Sequence, residues 1–431
     1  MALAPEASNH VSSDWKGQNY TRPLIVVIAL FFMWAVMGKL NDILIPHLKK
    51  AFSLTDFQSS LVQSAFFTAY FVGAIPAGWV MKKVGYKNGI LIGLAISAIG
   101  AGLFYPAADL RMYGFFLAAL FIMATGACFL EVAANPYVTI LGDPAKASSR
   151  LNLAQGFNGL GGTIAPKLGG LLILSGNEKT SEQIASMSPL EYTAFQIAEA
   201  DRVKLPYIGL VCLIIFVGLC IYFSNLPEVK EQKSEVADAG KPKGNVWKRA
   251  HLALGVLAIF LYVGAQEGVA SFLMRLLQHL QIPNLTEHIA TNYLSFFWGS
   301  FMVGRFAGAW LQTKFDPAKM LTFYAVVSAL LVITAINTTG YVAVSCIVAL
   351  GFFNSIQFPT IFTLAIKDLG NLTKDGSTYL VMGICGAAII PPLMGKLSDS
   401  TNIQFALIIP VFCYIYIMYY GIFGSRVKAT N

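Results

Sequence analysis

One carboxylate stands alone inside a long apolar run and is the residue of this sequence best suited to chemistry. Glu131 lies in TGACFLEVAANPYV, within the apolar stretch 112–141. A charged side chain at the centre of a membrane helix costs about 2.5–3.5 kcal/mol on insertion scales, so its presence needs a reason. A carboxylate can take up and release a proton, which would let Glu131 couple proton movement to a substrate. Alternatively, Glu131 is a structural carboxylate paired with a cation from another helix.

A second acid and a lysine lie together toward the end of the first apolar run. Lys39 and Asp42 occur in GKLNDILIP, three residues apart and therefore on neighbouring positions of one helix face. Asp42 would be the outer proton acceptor, or else an interfacial residue that water reaches easily. A pair between the two would keep Asp42 ionised; otherwise Lys39 reaches the substrate or Glu131. We predict proton coupling at Asp42 and Glu131 and a substrate contact at Lys39.

Amide and aromatic side chains inside other apolar runs are the candidates for binding a polar substrate. Gln155 and Asn158 lie on adjacent turns in LNLAQGFNGLGG, and amides both donate and accept hydrogen bonds, which suits sugar hydroxyls. The alternative use of such amides is hydrogen bonding between helices. Rings such as Tyr262 and Trp298 could stack on a sugar ring. The further predicted substrate-binding residues are Asn41, Gln266, Glu267, Asn292, Asn354 and Gln357.

Two other embedded cations, Lys167 and Arg305, are interpreted as snorkelling or structurally paired residues. No catalytic triad, HExxH motif or cluster of metal ligands occurs in the sequence. We therefore predict that the chain is not an enzyme, binds no metal, and needs no cofactor beyond a coupling ion. That ion is predicted to be a proton, with sodium as the other possibility.

The elements that would position these residues are membrane helices. The chain of 431 residues is 56% hydrophobic and 12% charged, whereas soluble domains average about 25% charged residues. A spanning helix needs roughly 20 mostly apolar residues. The sequence offers twelve such runs, at 23–48, 57–81, 88–107, 112–141, 151–175, 206–225, 251–275, 290–312, 319–337, 340–366, 377–396 and 404–424. The prediction is an all-α membrane protein with twelve transmembrane helices, surrounded by the lipid bilayer.

Lysine and arginine occupy the gaps between the runs and lie mostly on one side. If the N-terminus is inside, most of them fall in predicted cytoplasmic loops, so both termini are predicted to be cytoplasmic. The net charge of +8 is spread through these loops and does not form a cluster that would bind nucleic acid. The polar N-terminal segment shows no cleavable signal peptide. We predict a multi-pass protein of the bacterial inner membrane that works as a monomer.

An internal repeat predicts two halves. VGAIPAGWVMKK at 72–83 aligns with VGRFAGAWLQTK at 303–314, and LEVAANP at 130–136 has a weaker counterpart in FNSIQFP at 353–359. The predicted division is a cytoplasmic tail over 1–22, a six-helix bundle over 23–225, a cytoplasmic linker over 226–250, a second six-helix bundle over 251–424, and a tail over 425–431. SPLEYTAFQ, in the outer polar segment 176–205, is predicted to form a short surface helix.

Seven segments together carry a resemblance to one family. They are NDILIPHLKKAF, IPAGWVMKKVGYKNGI, LEVAANPYVTILG, RLNLAQGFNGLG, YVGAQ, GRFAG and SIQFPTIFTLAIKDLG. In this order they resemble the fucose permease family of the major facilitator superfamily. The resemblance implies the major facilitator fold and a proton:monosaccharide symporter that works by alternating access. It implies that Asp42 and Glu131 carry proton coupling, and that Gln155 and Asn158 lie near the sugar.

The chain departs from that family's pattern at three positions. Lys39 stands where the fucose permease has an uncharged polar residue, and Glu267 stands where it has a small polar one. Lys82 replaces the acidic residue that the superfamily carries after its second helix. The expected substrate is fucose, glucose, galactose or a related hexose. A sodium-coupled carrier, a uniporter and a transporter-like sugar sensor are the alternative functions.

Overall fold

The computed structural model describes residues 20–52, 56–173, 186–224, 226, 246–280 and 287–427, and within these ranges the chain forms helices and no strands. The α-helices, in chain order, are α1 (Thr21–Phe52), α2 (Asp56–Gly102), α3 (Phe104–Leu110), α4 (Tyr113–Ile140), α5 (Ala147–Ile173), α6 (Pro189–Asp201), α7 (Lys204–Phe223), α8 (Ala250–His279), α9 (Glu287–Leu311), α10 (Pro317–Asn337), α11 (Gly340–Asn354), α12 (Gln357–Ala365), α13 (Thr373–Met382), α14 (Gly386–Ser400) and α15 (Ile408–Tyr419). Each predicted apolar run falls on one of these helices or on two consecutive ones.

By length and composition, nine helical segments of the described ranges are candidate membrane spans. One of them, Ser64–Leu110, has 47 residues, although roughly 20 suffice for one crossing. The backbone leaves helical geometry within it at Gly85, where φ is 81° and ψ is 178°. A positive φ of this kind suits glycine, and it separates the predicted second and third spans. Helices α5 and α9, which correspond to predicted spans five and eight, are not among the nine, so the count of twelve stays a prediction.

The helices pack in two groups that follow the chain order. In the first group α1 packs against α5, and α2 packs against α4 and α7; in the second, α8 packs against α14 and α15, and α9 packs against α11. The groups meet where α5 contacts α9 and α12, and where α13 contacts α2 and α4. The tail up to residue 19 and most of the linker lie outside the described residues. The predicted domain boundaries and the cytoplasmic placement of both termini therefore stay predictions.

Two helix ends are stabilised by contacts that the sequence makes possible. Ser188 and Glu191 form a reciprocal capping box at the start of α6, which is the predicted surface helix. At the end of α4, the Arg150 guanidinium donates hydrogen bonds to the backbone oxygens of Val138, Thr139 and Asp143, at 3.2, 2.7 and 2.6 Å. These contacts satisfy carbonyl groups that a helix C-terminus leaves without partners. They fix the connection between α4 and α5, which carry Glu131 and the two amides.

Small residues allow helices of the second group to approach closely. A methyl group added at Gly386, the first residue of α14, would overlap the backbone carbonyl oxygen of Phe260 on α8. Membrane helices commonly use small residues in this way, because dispersion contacts and backbone proximity hold them together. Along the same helix, a methyl group at Gly395 would meet no atom within 4 Å.

We expect Gly386→Ala to destabilise the protein by about 1–3 kcal/mol, because the backbone of α8 cannot move aside without losing other contacts. Gly395→Ala is the matched control and should be neutral or stabilise by up to about 1 kcal/mol, since alanine favours a helix. Thermal unfolding of both purified variants in detergent measures the difference. Equal melting temperatures would show that α8 and α14 are not in the close contact described here.

Candidate functional site

Glu131 lies in the middle of α4 and is enclosed by protein. Its side chain is 6% exposed, and Asn135 donates a hydrogen bond from Nδ2 to Oε1 at 3.4 Å. The Tyr70 hydroxyl of α2 is a second hydrogen-bonding neighbour of this carboxyl group, and the Arg305 guanidinium of α9 acts on it electrostatically. The surroundings of Glu131 therefore agree with the alternative interpretation from the sequence, in which a cation from another helix, here Arg305, balances the carboxylate. It does not exclude proton exchange, because each of these neighbours can partner either form of the acid.

A chain of amide groups joins Glu131 to the second group of helices. Gln155 of α5 donates from Nε2 to Asn135 Oδ1 at 3.2 Å, and Asn135 donates in turn to Glu131. The Gln155 backbone oxygen accepts a hydrogen bond from Arg305 Nη1 at 2.7 Å. The same nitrogen lies 3.4 Å from Asn158 Oδ1. We call Glu131, Asn135, Gln155 and Arg305 the central relay; it connects α4 and α5 with α9.

Arg305 is the embedded cation for which the sequence left two interpretations open, snorkelling and structural pairing. Its side chain is 7% exposed, and its guanidinium lies within the protein and does not snorkel toward an interface. Its partners are the backbone oxygen of Gln155, the side chain of Asn158 and, from Nε at 3.5 Å, the backbone oxygen of Ser355. Arg305 therefore bridges both helix groups. The motif GRFAG placed this cation near the end of a run, but only the tertiary contact to α5 reveals its role.

Two prolines explain why backbone carbonyl groups are available at the contact between the groups. Proline has no N–H, so a helix leaves the carbonyl four residues earlier without its usual partner. Pro136 of α4 frees the oxygen of Val132, which accepts from Ser377 Oγ of α13 at 3.0 Å. Pro359 of α12 stands four residues after Ser355, whose oxygen accepts from Arg305. The repeated proline of the two halves thus provides an acceptor at equivalent places.

Lys39 of α1 and Arg305 of α9 each lie over an aromatic ring of α9. The Lys39 ammonium of α1 lies 4.6 Å from the ring centre of Trp298, and the Arg305 guanidinium lies 4.4 Å from that of Phe301. Trp298 and Phe301 pack edge to face at 5.5 Å. The stem of Lys39 crosses α5 at Gly162, where an added methyl group would lie 3.5 Å from Lys39 Cγ. Trp298 is only partly buried, so Lys39 covers a ring face that a ligand could also use.

The two groups are also joined at the end of the bundle where α2 bends at Gly85. The charge distribution predicts that this end is cytoplasmic, and we call it the cytoplasmic end. Lys82 forms an ion pair with Asp375 of α13. Lys82 thus places a positive charge where the superfamily carries an acid, and the acidic partner of the pair is Asp375. Three buried hydrogen bonds lie nearby. Asn152 Nδ2 of α5 donates to Gln312 Oε1, just beyond α9, at 2.7 Å, and Gln312 Nε2 donates to Thr360 Oγ1 of α12 at 2.7 Å. Ser148 Oγ of α5 shares a hydrogen bond of 2.6 Å with Thr363 Oγ1 of α12.

The remaining predicted site residues divide into three sets. Tyr262, Asn354 and Gln357 are fully buried within the second group, where Tyr262 donates to the Asn354 backbone oxygen at 2.8 Å and Gln357 donates to Ser328 Oγ at 3.0 Å. Tyr262 lies close enough to Arg305 and Glu267 for electrostatic interaction. Gln266 is partly buried and Asn292 exposed. The side chains of Asn41, Asp42 and Lys167 lie outside the described residues. All these assignments stay predictions.

Comparison with known proteins gives one consistent set of relatives. The profile of the Major Facilitator Superfamily matches residues 24–374. A "Glucose/galactose transporter" of Brucella abortus biovar 1 (strain 9-941) is 44% identical over 427 residues, which cover 99% of this chain and 100% of that protein. An "L-fucose-proton symporter" of Escherichia coli (strain K12) is 41% identical over 421 residues and 96% of each chain. The crystal structure of the transporter FucP in the outward conformation superposes with a TM-score of 0.87 at 41% identity, covering 95% of this chain and 100% of that one.

Proposed function

Because the chain belongs to the Major Facilitator Superfamily, we propose that it imports a monosaccharide together with a proton by alternating access across the bacterial inner membrane. The chain is a multi-pass transporter and not an enzyme. Two relatives with more than 90% coverage are named for glucose, galactose or fucose, and one of them is named a proton symporter. Fucose, glucose, galactose or a related hexose is the proposed substrate, and a monomer is the proposed working unit.

The observation that carries this proposal is the central relay. An ionised Glu131 on α4 attracts the Arg305 guanidinium on α9, and this attraction acts across the boundary between the two helix groups. Electrostatic interactions are strong where water is excluded. Protonation of Glu131 would remove that attraction and leave only the hydrogen bonds of Arg305 to hold the groups together at this level. Proton binding would thereby lower the cost of rearranging the two groups.

The same groups supply hydrogen bonds for a sugar. Arg305 donates to the side-chain oxygen of Asn158 and to the backbone oxygen of Gln155, whose side-chain amide donates to Asn135. Carbonyl oxygens accept from sugar hydroxyl groups, and amides both donate to and accept from them. A sugar that replaces the bonds between Arg305 and these residues would compensate for their loss during the transition. The contacts at the cytoplasmic end hold the two groups together there, which agrees with substrate entry from the opposite side.

Uptake into proteoliposomes tests the function. The purified protein is reconstituted, an acidic exterior is imposed, and accumulation of labelled fucose, glucose, galactose, mannose and N-acetylglucosamine is followed. The symport proposal requires that accumulation of at least one sugar follow the pH gradient and stop with a protonophore. Uptake that does not depend on the pH gradient but is driven by a sodium gradient would identify a sodium-coupled carrier. Equilibration without accumulation would identify a uniporter, and binding without uptake a sensor.

Lys39 is proposed to limit sugar affinity, because its ammonium occupies the face of Trp298 on which a sugar ring would stack. Cation–π contacts at accessible sites are worth about 0.5–1 kcal/mol. Lys39→Met should therefore tighten the apparent affinity for the transported sugar about two- to fivefold. Titration of the purified variant by calorimetry measures the change.

Lys83→Met is the matched control, since Lys83 makes the same contact with Trp79 on an outer face of the bundle. Its sugar affinity should equal that of the wild type. Trp298→Leu should weaken binding by removing the stacking surface. Unchanged affinity in both Lys39→Met and Trp298→Leu would remove this pair from the proposed sugar site.

A further inference from the structure

Two tryptophan–lysine pairs occupy equivalent places in the two halves. The Lys83 ammonium lies 3.6 Å from the ring centre of Trp79, and the Lys314 ammonium lies 3.9 Å from that of Trp310. In each pair the lysine follows the tryptophan by four residues. Trp79 and Lys83 lie on one face of α2, and Lys314 lies in the turn that follows α9, which carries Trp310. The tryptophans are 60% and 58% exposed, and both lysines are exposed. Both pairs lie at the cytoplasmic end, on α2 and just beyond α9.

Contacts within the protein account for the small residues of this repeat but not for the two pairs. Gly73 faces Thr125 and Cys128 of α4, and its repeat partner Gly304 faces Ser355 beyond α11 in the second half. The glycines therefore permit close approach between neighbouring helices. Both tryptophans and both lysines are instead exposed on the surface of the bundle, which a bilayer would surround. Something outside the protein is needed to explain why both halves carry them.

Charge and position identify the chemistry of that outside partner. Tryptophan is typical of the interface between hydrocarbon and headgroups, and lysine extends from there to the level of the phosphates. Nearby acids have other partners: Asp375 pairs with Lys82, and Asp316 accepts from the Lys319 backbone N–H at 2.9 Å. Lys204, at the other end of the bundle, provides a contrast. Its ammonium also lies over a ring, that of Tyr105, but it forms ion pairs with Asp109 and Asp201.

We propose that each tryptophan–lysine pair is a binding site for the headgroup of an anionic phospholipid of the cytoplasmic leaflet. The ring holds the ammonium at the level of the phosphodiester, which accepts its hydrogen bonds. One lipid binds each half, so the protein carries two equivalent sites. Lys82, beside Lys83 in the sequence, forms the ion pair at the cytoplasmic end. An anionic lipid bound at Lys83 therefore lies next to a contact that joins the two helix groups.

The test is lipid binding to the purified full-length protein, measured by native mass spectrometry with phosphatidylglycerol or phosphatidylethanolamine of the same acyl chains. The wild type should retain two phosphatidylglycerol molecules in preference to phosphatidylethanolamine. Lys83→Gln and Lys314→Gln should each leave one such site, and the double variant none. A lysine near an anionic leaflet contributes about a fivefold gain in affinity, so each site counted as lost should bind phosphatidylglycerol about fivefold more weakly, with little preference over phosphatidylethanolamine.

Lys319→Gln is the matched control, because it removes one exposed lysine at the same end that lies over no tryptophan ring of the described residues. It should keep both sites, and the variant Lys83→Arg/Lys314→Arg should keep them as well, since arginine retains the charge and the ring contact. Phosphatidylglycerol binding that is unchanged in Lys83→Gln and Lys314→Gln, or reduced equally by Lys319→Gln, would overturn the proposal. The single variants keep the test decisive if the double variant does not fold.

Discussion

Glu131→Gln is expected to abolish accumulation of sugar against its gradient while sugar exchange remains measurable. Glutamine keeps the size and hydrogen bonds of a protonated glutamate, but it cannot release a proton. The attraction to Arg305 is then absent throughout the cycle, so the rearrangement no longer depends on the proton. A gradient of one pH unit is worth about 1.4 kcal/mol per proton and supports about tenfold accumulation. The variant should stop at equal concentrations on both sides.

Proteoliposomes with an imposed pH gradient measure this effect, and counterflow of labelled sugar measures exchange in the same preparation. Glu191→Gln provides the matched chemical change, on the surface helix α6 where Glu191 caps the helix. It should leave accumulation intact. Accumulation at the wild-type level in Glu131→Gln would remove Glu131 from proton coupling and leave Asp42 as the remaining candidate acid.

The need of Glu131 for partners inside the protein was predictable, because an acid within an apolar run has a high energetic cost that is visible in the sequence alone. The helical elements were predictable for a similar reason, since each crossing needs a long apolar run. The run over 340–366 agrees with one candidate span, Gly340–Ala365, but hydropathy does not indicate the interruption near Ser355 that divides it into α11 and α12. The break lies just before Pro359, whose missing N–H also frees the carbonyl that Arg305 contacts.

Arg305 and Lys39 could not be placed from the sequence because their partners are distant along the chain. The bond from Arg305 to the Gln155 oxygen spans 150 positions, and nothing in GRFAG indicates α5 as its partner. The spacing of Lys39 and Asp42 predicts a pair on one helix, which stays a prediction because the Asp42 side chain lies outside the described residues. The contact of the Lys39 ammonium with Trp298 of the other group has no signal in the sequence. Sequence spacing identifies neighbours within one helix, but contacts between helices depend on rotation and crossing angle.

These two cations give the proposed transport cycle its physical basis. Both reach across the boundary between the helix groups, one to an aromatic ring and one to amide and carbonyl groups. Contacts of this kind must break when the groups rearrange. A bound sugar can replace the ring contact of Lys39 and the hydrogen bonds of Arg305, and protonation of Glu131 removes its attraction to Arg305. Arg305 makes the larger contribution, because its bonds are buried and involve a charged donor.

Arg305→Gln is therefore expected to reduce sugar exchange by about ten- to a hundredfold, since each buried hydrogen bond to a charged group is worth about 1.5–3 kcal/mol. Arg305→Lys should retain part of the activity, because lysine keeps the charge but not the planar fork of donors. Arg426→Gln is the control: Arg426 lies over Phe423 at 5.6 Å near the C-terminal end of the described chain, and its loss should leave exchange unchanged.

The double variant Glu131→Gln/Arg305→Gln distinguishes electrostatic coupling from a purely structural role of Arg305. If the ionised acid and the guanidinium attract one another across the boundary, removing both should cost less than the sum of the two single losses, as a double-mutant cycle of exchange rates would show. The deficit should be at least about 0.5 kcal/mol, the lower limit for residues that share one network. Strict additivity would mean that Arg305 holds α5 and α9 together without sensing the charge of Glu131, and proton coupling would then have to act through another cation.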